Sequence, residues 1–310
     1  MSGLISGRGD RISKKVLVTG GAGFIGAHLC KRLLTKGHEV ICFDNLSRFG
    51  EKKLEELDSD SFKFIRGDIR NFESYEKILE RVDIVFHLAS VSRVEEARDN
   101  PIECFDTNLL GSWKLLRACG SFEVDKLVFA SSREVFGDCK NRVGEREEFD
   151  PNNLYGFSKA EFENVLDFFG NHTSVNTVSM RLSNVYGPGD RGRVIPIFLE
   201  RLRNNKPLKL YGGDQILDFV WIEDVIKVFQ KAMQEDFPYR KVNVGSGKGV
   251  SVRELAEKII DIAGKDVEVR ELDGKDFETK RYVTDTSRMR GLGVSPTSLR
   301  EGLEKLLVER

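Results

Sequence analysis

Short apolar runs alternate with amphipathic stretches through the first half of the chain. Lys15–Thr19 is a β-rich run of strand length, followed by glycines. From Phe24 to about Lys36 the apolar positions then recur every three to four residues, as on one face of a helix, and Gly37 supplies its stop. Residues 38–43, 62–66, 83–87 and 126–130 read as further buried strands, with helical patterns near 74–81 and 101–119 between them. Residues 174–182 make another. Such alternation predicts an α/β fold of the Rossmann type, a doubly wound parallel sheet with helices on both faces. Right-handed crossovers then bring the C-terminal strand ends to one edge, where ligands of such sheets bind.

Beyond residue 182 the pattern loosens. Residues 184–190 read as a turn-rich loop, and short strands such as Lys241–Val244 mix with helices near 222–234, 251–263 and 298–308. The expectation is a smaller, mixed α/β C-terminal substrate lobe closing over the sheet edge. The predicted division is a flexible leader at 1–14, a nucleotide-binding Rossmann domain at 15–182, and a mainly substrate-binding part at 183–310 with some segments returning to the first domain. No repeat or low-complexity linker separates them, so the two lobes are expected to be tightly joined.

At 310 residues the chain is long enough to bury a substantial core. Forty-nine basic against fifty acidic side chains give a formal net charge of -1, which offers no electrostatic case for nucleic acid or an anionic membrane. The longest apolar runs are strand-sized, well short of the roughly 18 residues of a membrane span. The first residues are polar and lack the apolar centre of a signal peptide. The five cysteines are scattered and without metal-ligand spacing, which suits reduced thiols in a cytoplasmic protein with no metal.

Candidate chemistry begins at Thr19-Gly20-Gly21-Ala22-Gly23-Phe24-Ile25-Gly26, between the first strand and first helix. Glycines there permit a tight turn, close approach of backbone to a pyrophosphate, and packing of helix on strand, while the helix N-terminus offers unpaired N–H groups. Asp44 ends the second strand, where a carboxylate can accept from an adenosine ribose and repel a 2′-phosphate, which favours NAD. Arg48 keeps NADP open, and a strand-end Asp beginning a turn with Asn45 is the plainer alternative. Further on, Tyr155 and Lys159 stand one helical turn apart. A fixed cation beside the phenol favours the phenolate, so the pair is a candidate proton acceptor. A partly buried ring beside a snorkelling chain is the competing reading.

Taken in order, Thr19 to Gly26, Gly67-Asp68-Ile69, His87-Leu88-Ala89-Ser90, Ser131-Ser132-Arg133-Glu134-Val135-Phe136-Gly137 and Tyr155 to Lys159 carry a pattern. The chain resembles the extended short-chain dehydrogenase/reductase family, in particular its nucleotide-sugar epimerases and dehydratases, over roughly residues 15 to 307. The resemblance implies bound NAD, a nucleotide-sugar substrate with a UDP-sugar foremost, and a homodimer built on helices near 101–119 and 155–170. It implies cofactor contacts from Gly20, Gly23, Phe24, Ile25, Gly26, Asp44, Asn45, Asp68, Ile69, Leu88, Ala89, Ser90, Asn108, Tyr155 and Lys159. Ser132 matches the hydroxyl partner of Tyr155, bridging it to the sugar 4-OH. Oxidation at sugar C4 and return of the hydride to the other face makes a 4-epimerase the expected activity.

Glu134 is a further candidate for chemistry. The family's dehydratases commonly carry Asp-Glu where this chain has Arg133-Glu134, so 4,6-dehydration is disfavoured, with uronate decarboxylation a second alternative. An NAD-binding sensor or scaffold is the reading without catalysis. Ser92, Arg93, Ser132, Asn184, Arg193 and Tyr211 are the expected substrate contacts, with Tyr211 under the nucleobase. Arg93 is open between a sugar carboxylate and a surface pair with Glu95 or Glu96. Leu217 stands where relatives carry a diphosphate-binding arginine, and a second such arginine is replaced around Lys275. Arg191, Arg193 and Arg281 are the candidate substitutes.

Overall fold

A computed structural model describes residues 13–50, 54–274 and 279–308. The expected leader lies outside the described residues except for Ser13 and Lys14, and so does Lys275.

The chain begins with β1 (Lys15–Thr19), α1 (Phe24–Thr35), β2 (Glu39–Asp44) and β3 (Phe62–Arg66). There follow α2 (Glu76–Leu79), β4 (Ile84–His87), α3 (Val94–Asp99), α4 (Pro101–Phe105), α5 (Ser112–Ser121) and β5 (Lys126–Ser132). Next come β6 (Arg142–Val143), α6 (Leu154–His172), β7 (Asn176–Leu182), β8 (Asn184–Tyr186), α7 (Val194–Arg203), β9 (Leu208–Tyr211), β10 (Ile216–Trp221) and α8 (Ile222–Lys231). The remaining elements are β11 (Lys241–Val244), β12 (Gly249–Ser251), α9 (Val252–Ala263), β13 (Val269–Leu272), β14 (Val283–Thr284), α10 (Ser287–Gly291) and α11 (Leu299–Val308).

Seven strands form one parallel sheet in the order β11-β7-β5-β4-β1-β2-β3. The winding reverses between β1 and β4, so the crevice beyond their C-terminal ends is the topological switch point. Side-chain alternation divides the core between the two faces. Val16 and Val18 pack with residues of α1 and α8, whereas Leu17 packs with Leu127, Phe129 and the apolar side of α5 and α6. The last strand of the sheet, β11, comes from beyond residue 182 and pairs with β7. The other C-terminal strands form small sheets, β12-β10-β8 and β13-β9, beside the crevice.

Two local expectations change. The stretch predicted as a turn-rich loop begins as β8, parallel to β10 with Asn184 opposite Phe219, because burial of Val185 and Tyr186 outweighs the turn-forming residues after them. The helix predicted near 74–81 shrinks to α2, preceded by a single 3₁₀ turn at Phe72–Ser74. Between α4 and α5 the chain adopts a π turn at Asp106–Gly111, a rare form that sequence periodicity does not signal.

One buried ion pair seats α6 on the sheet. Glu163 and Arg181 are both essentially inaccessible, with Arg181 Nε and Nη2 donating to the carboxylate at 2.9–3.0 Å. Ser131 on β5 donates to Glu163 Oε1 at 2.5 Å, and Arg181 Nη1 donates to Glu145 O at 3.0 Å. Glu163→Ala leaves the guanidinium buried without its carboxylate, and a loss of about 3–5 kcal/mol is expected. Denaturant midpoints of the two proteins measure it; a loss below about 1 kcal/mol, the range of a surface pair, contradicts the seating role.

Candidate active site

A cavity of about 810 Å³ opens at the switch point, lined from β1 at one end to β9 and β10 at the other. Its cofactor-side wall is the glycine turn. Gly20 has φ +69°, its N–H donates to Phe43 O at 2.9 Å, and a Cβ there would lie 2.6 Å from Ala89 N. A Cβ on Gly26 would lie 2.2 Å from Gly20 O. Any side chain at either position collides with backbone, so these glycines are needed for close packing of α1, β1 and the end of β4. Gly23 caps α1 without a side-chain bond, which leaves the first N–H groups of that helix directed toward the crevice.

These features fit a dinucleotide, with a phosphate-sized backbone cradle at a helix N-terminus and an acidic strand end beside it. Asp44 is held by Ala22 N–H at 3.1 Å and Leu46 N–H at 2.8 Å; burial pushes its pKa up, against these two bonds. Each carboxylate oxygen keeps a second lone pair. Asp68 is drawn the other way: although burial opposes it, the bidentate Arg70 contact and the Asn45 amide hold its pKa down to about 2.

Gly20, Gly23, Phe24, Ile25, Gly26, Asp44, Asn45, Asp68, Ile69, Leu88, Ala89 and Ser90 all line the cavity, as do Ser92, Arg93, Ser132, Glu134, Tyr155, Lys159, Asn184, Arg193 and Tyr211. Asn108 does not. It is buried in the π turn, where its amide bonds both backbone groups of Val91 and the Ser158 hydroxyl at 2.9–3.0 Å. Asn108, grouped with the cofactor contacts as a support of the site from its helix, braces the cavity wall and α6 from behind. Among the candidate diphosphate arginines, Arg191 and Arg193 line the cavity, whereas Arg281 is not among the lining residues and donates to Lys140 O. Tyr211 sits on an outer strand with 43% of its surface exposed, so it is not a core residue.

Tyr155 and Ser132 come together across the joint between α6 and β5. Burial raises the Tyr155 pKa, while the Ser132 hydrogen bond and the charges of Arg193 and Arg48 act to lower it. Lys159 Nζ donates to Ala130 O at 2.9 Å and lies 4.5 Å from the Phe129 ring centroid, against 5.8 Å from that of Tyr155. Burial lowers its own pKa to about 7. Two cations that act on the phenol, Arg48 and Arg193, come from loops distant in sequence, which no local spacing revealed. Behind Lys159, His87 is bonded to Thr19 and Ser112 at 2.8 Å each, and burial lowers its pKa to about 3, so it is neutral.

Glu134 is tied on all sides. Arg133 Nη2 lies 2.6 Å from Oε1, while Oε2 accepts from Asn153 at 2.8 Å and Thr279 at 3.1 Å. Arg93 does not pair with Glu95 or Glu96: it donates to Arg191 O at 2.8 Å, and Arg48 takes Glu96 at 3.7 Å. Beside Leu217, which lines the cavity, Asp218 is a buried hub that accepts from Ser246 N and Oγ, Gly247 N and Thr284 N at 2.7–3.0 Å. It joins β10 to the loop after β11 and to β14, and was not singled out by the sequence.

Comparison with known proteins agrees with this arrangement. Residues 16–245 match the NAD dependent epimerase/dehydratase family. A putative UDP-glucose 4-epimerase of Methanocaldococcus jannaschii is 32% identical over 94% of this chain and 97% of its own. A dTDP-D-glucose 4,6-dehydratase of Bos taurus is 30% identical over 96% and 89%. The crystal structure of a Thermus thermophilus UDP-glucose 4-epimerase in complex with NAD superposes with a TM-score of 0.86 at 32% identity, covering 94% of this chain and 96% of that one. The chain belongs to the NAD-dependent epimerase/dehydratase family, whose members act on nucleotide sugars with NAD as cofactor. Among the described residues, no helix is long and apolar enough to cross a membrane.

The buried Lys159 gives a pH signature. Its folded pKa of about 7 lies below the ordinary lysine value of 10.5, so between those limits the unfolded chain binds more protons and stability rises with pH. Lys159→Met is expected to remove this rise, measured as the wild-type minus variant difference in unfolding free energy from about pH 7 to about pH 10. A difference that stays constant across that window contradicts a neutralised Lys159.

Proposed function

We propose that this chain is an NAD-dependent nucleotide-sugar 4-epimerase. The observation that carries the choice within the family is the engagement of Glu134. A 4,6-dehydratase needs groups that remove a proton from C5 and protonate the leaving C6 hydroxyl, in addition to the pair that serves C4. Here Glu134 is bound by Arg133, Asn153 and Thr279, and its neighbour is a cation that does not give up a proton at neutral pH. Ser132 and Tyr155 suffice for an epimerase.

In this reading Tyr155 Oη takes the proton of the sugar 4-hydroxyl, with Ser132 Oγ bridging the two oxygens, and keeps it until the ketone is reduced. NAD, when bound along the glycine turn, would supply the hydride acceptor and donor for sugar C4. Arg48 and Arg193 favour the ionised phenol that this step requires. Lys159, anchored on Ala130 O, orients the base of the site toward the nicotinamide ribose. Tyr211 offers its exposed ring to the nucleobase, and Asn184, whose amide bonds Asp218 O at 3.0 Å, positions the wall between. UDP is the favoured nucleotide, and the five free thiols suit a reducing cytoplasm.

Incubation with NAD and UDP-glucose, its N-acetylated form or UDP-glucuronate, followed by NMR of the products, tests the reading. A C4 epimer is expected; a 4-keto-6-deoxy sugar or a pentose assigns the dehydratase or decarboxylase alternative, and NAD binding without any product favours a sensor. Tyr155→Phe is expected to keep NAD affinity and lose about 10²–10⁴ in kcat, the usual worth of a positioned acid–base group. Undiminished turnover in that variant removes Tyr155 from the chemistry.

A homodimer belongs to the same proposal. Helices α4, α5 and α6 and the π turn between them present Ile102, Leu110, Trp113, Phe157 and Phe168 to solvent, Ile102 at 77% and Phe168 at 63% exposure. An apolar face of that extent on adjoining helices suits a second copy. Sedimentation at micromolar concentration is expected to give twice the chain mass of 35.2 kDa, and Phe168→Glu to give monomers; a wild-type monomer contradicts it.

A further inference from the structure

Arg133 is the cavity-lining cation whose position follows directly from Ser132. The 3₁₀ turn Arg133–Phe136 carries it into the wall, where it is only 8% exposed. Its guanidinium is fixed on two sides, by the ion pair with Glu134 and by the Tyr282 ring, 5.7 Å from the arginine Cζ to the ring centroid. Nη1 has no hydrogen-bond partner among the described residues. A buried, charged donor without an acceptor is costly, and the fixed side chain cannot swing out to water. The residue lines the cavity, and a small shift of Nη1, which has almost no free surface in this position, would bring it to an acceptor on a ligand there.

The sugar pose proposed above says where on the ring that acceptor lies. If Ser132 and Tyr155 address O4, the residue next to Ser132 faces a carbon adjoining C4. On one side C3 bears a neutral hydroxyl; on the other, C5 bears C6, the position that becomes anionic when oxidised to a carboxylate. A planar guanidinium matches a carboxylate in shape and charge. Glu134 would otherwise repel such a group, yet its charge is met by Arg133, Asn153 and Thr279. The surroundings are cationic as well. Arg48 and Arg193 have only distant carboxylates, Glu96 at 3.7 Å and Asp190 at 3.9 Å, and Arg93 Nε is buried without a partner among the described residues. Beside burial, the charges of Arg93 and Arg193 depress the pKa of Arg48, so these cations crowd one another.

We propose that Arg133 reads the substituent at C6 of the sugar and that this substituent is a carboxylate, making the substrate a nucleotide-linked hexuronate. The assignment rests on the nucleotide-sugar reading and on the O4 position of Ser132 and Tyr155. Its test is titration calorimetry of the NAD-loaded protein with UDP-glucuronate and with UDP-glucose, for wild type, Arg133→Gln and Arg133→Lys, alongside NMR of the products. Wild type is expected to bind UDP-glucuronate at least tenfold more tightly. Arg133→Gln is expected to lose roughly 10–100-fold for UDP-glucuronate, the range of a charged hydrogen bond, with UDP-glucose changed less than about threefold. Arg133→Lys recovers part of the loss.

Equal wild-type affinity for the two sugars, or an equal fall for both in Arg133→Gln, overturns the carboxylate assignment; the second outcome marks a purely structural arginine. Tight, Arg133-dependent binding of UDP-glucuronate with no C4 epimer supports the assignment and sinks the epimerase reading instead. Preferential binding and epimerisation of UDP-glucose does the reverse.

Discussion

The Glu163–Arg181 pair is the contact on which the reactive geometry depends. Tyr155 and Lys159 are carried by α6, Ser132 by the end of β5, and nothing covalent holds those elements in register. Glu163 lies two turns along α6 from Tyr155, and its carboxylate receives Arg181 from β7 and Ser131 from β5 at once. A helix that slid or rotated would have to break this buried network, so its position is set to within the tolerance of a hydrogen bond. Asn108 adds a second brace by joining Ser158 to the backbone of Val91. The groups proposed to handle the proton are thus mounted on rigid elements, as a site needs for precise positioning.

Electrostatics at the reactive end arise from convergence rather than from neighbours in sequence. The Tyr155 phenol is opposed by burial and favoured by Ser132, Arg193 and Arg48, which reach it from three different segments. Lys159 has lost much of its charge to burial. Around the phenol, Arg193 and Arg48 act against burial and the Glu134 carboxylate. Glu134 belongs to the same balance: bound by three donors, it acts as a fixed wall.

Much of the sheet was legible in order, because strand-length apolar runs and helical periodicity report burial directly. The glycine turn was legible too, since backbone packed at 2.2–2.6 Å from a would-be Cβ admits no other residue. Harder to read were β8, whose strand character comes from pairing with β10, and the π turn, whose register depends on what Asn108 bonds. The position of Asn108 in the chain implies support for the site; which groups it bonds, the backbone of Val91 and the Ser158 hydroxyl, only the tertiary structure shows.

The sequence by itself determined the parallel α/β architecture, the glycine turn between β1 and α1, and the one-turn spacing of Tyr155 and Lys159, because each rests on local pattern; the place of Ser132 beside them was implied by resemblance. Only the tertiary structure decided which cation faces the phenol, what binds Glu134, and that Arg133 keeps an unanswered donor in the cavity wall. Those properties depend on distances between residues far apart in the chain, and on burial, which converts an ordinary lysine into one that titrates near neutrality.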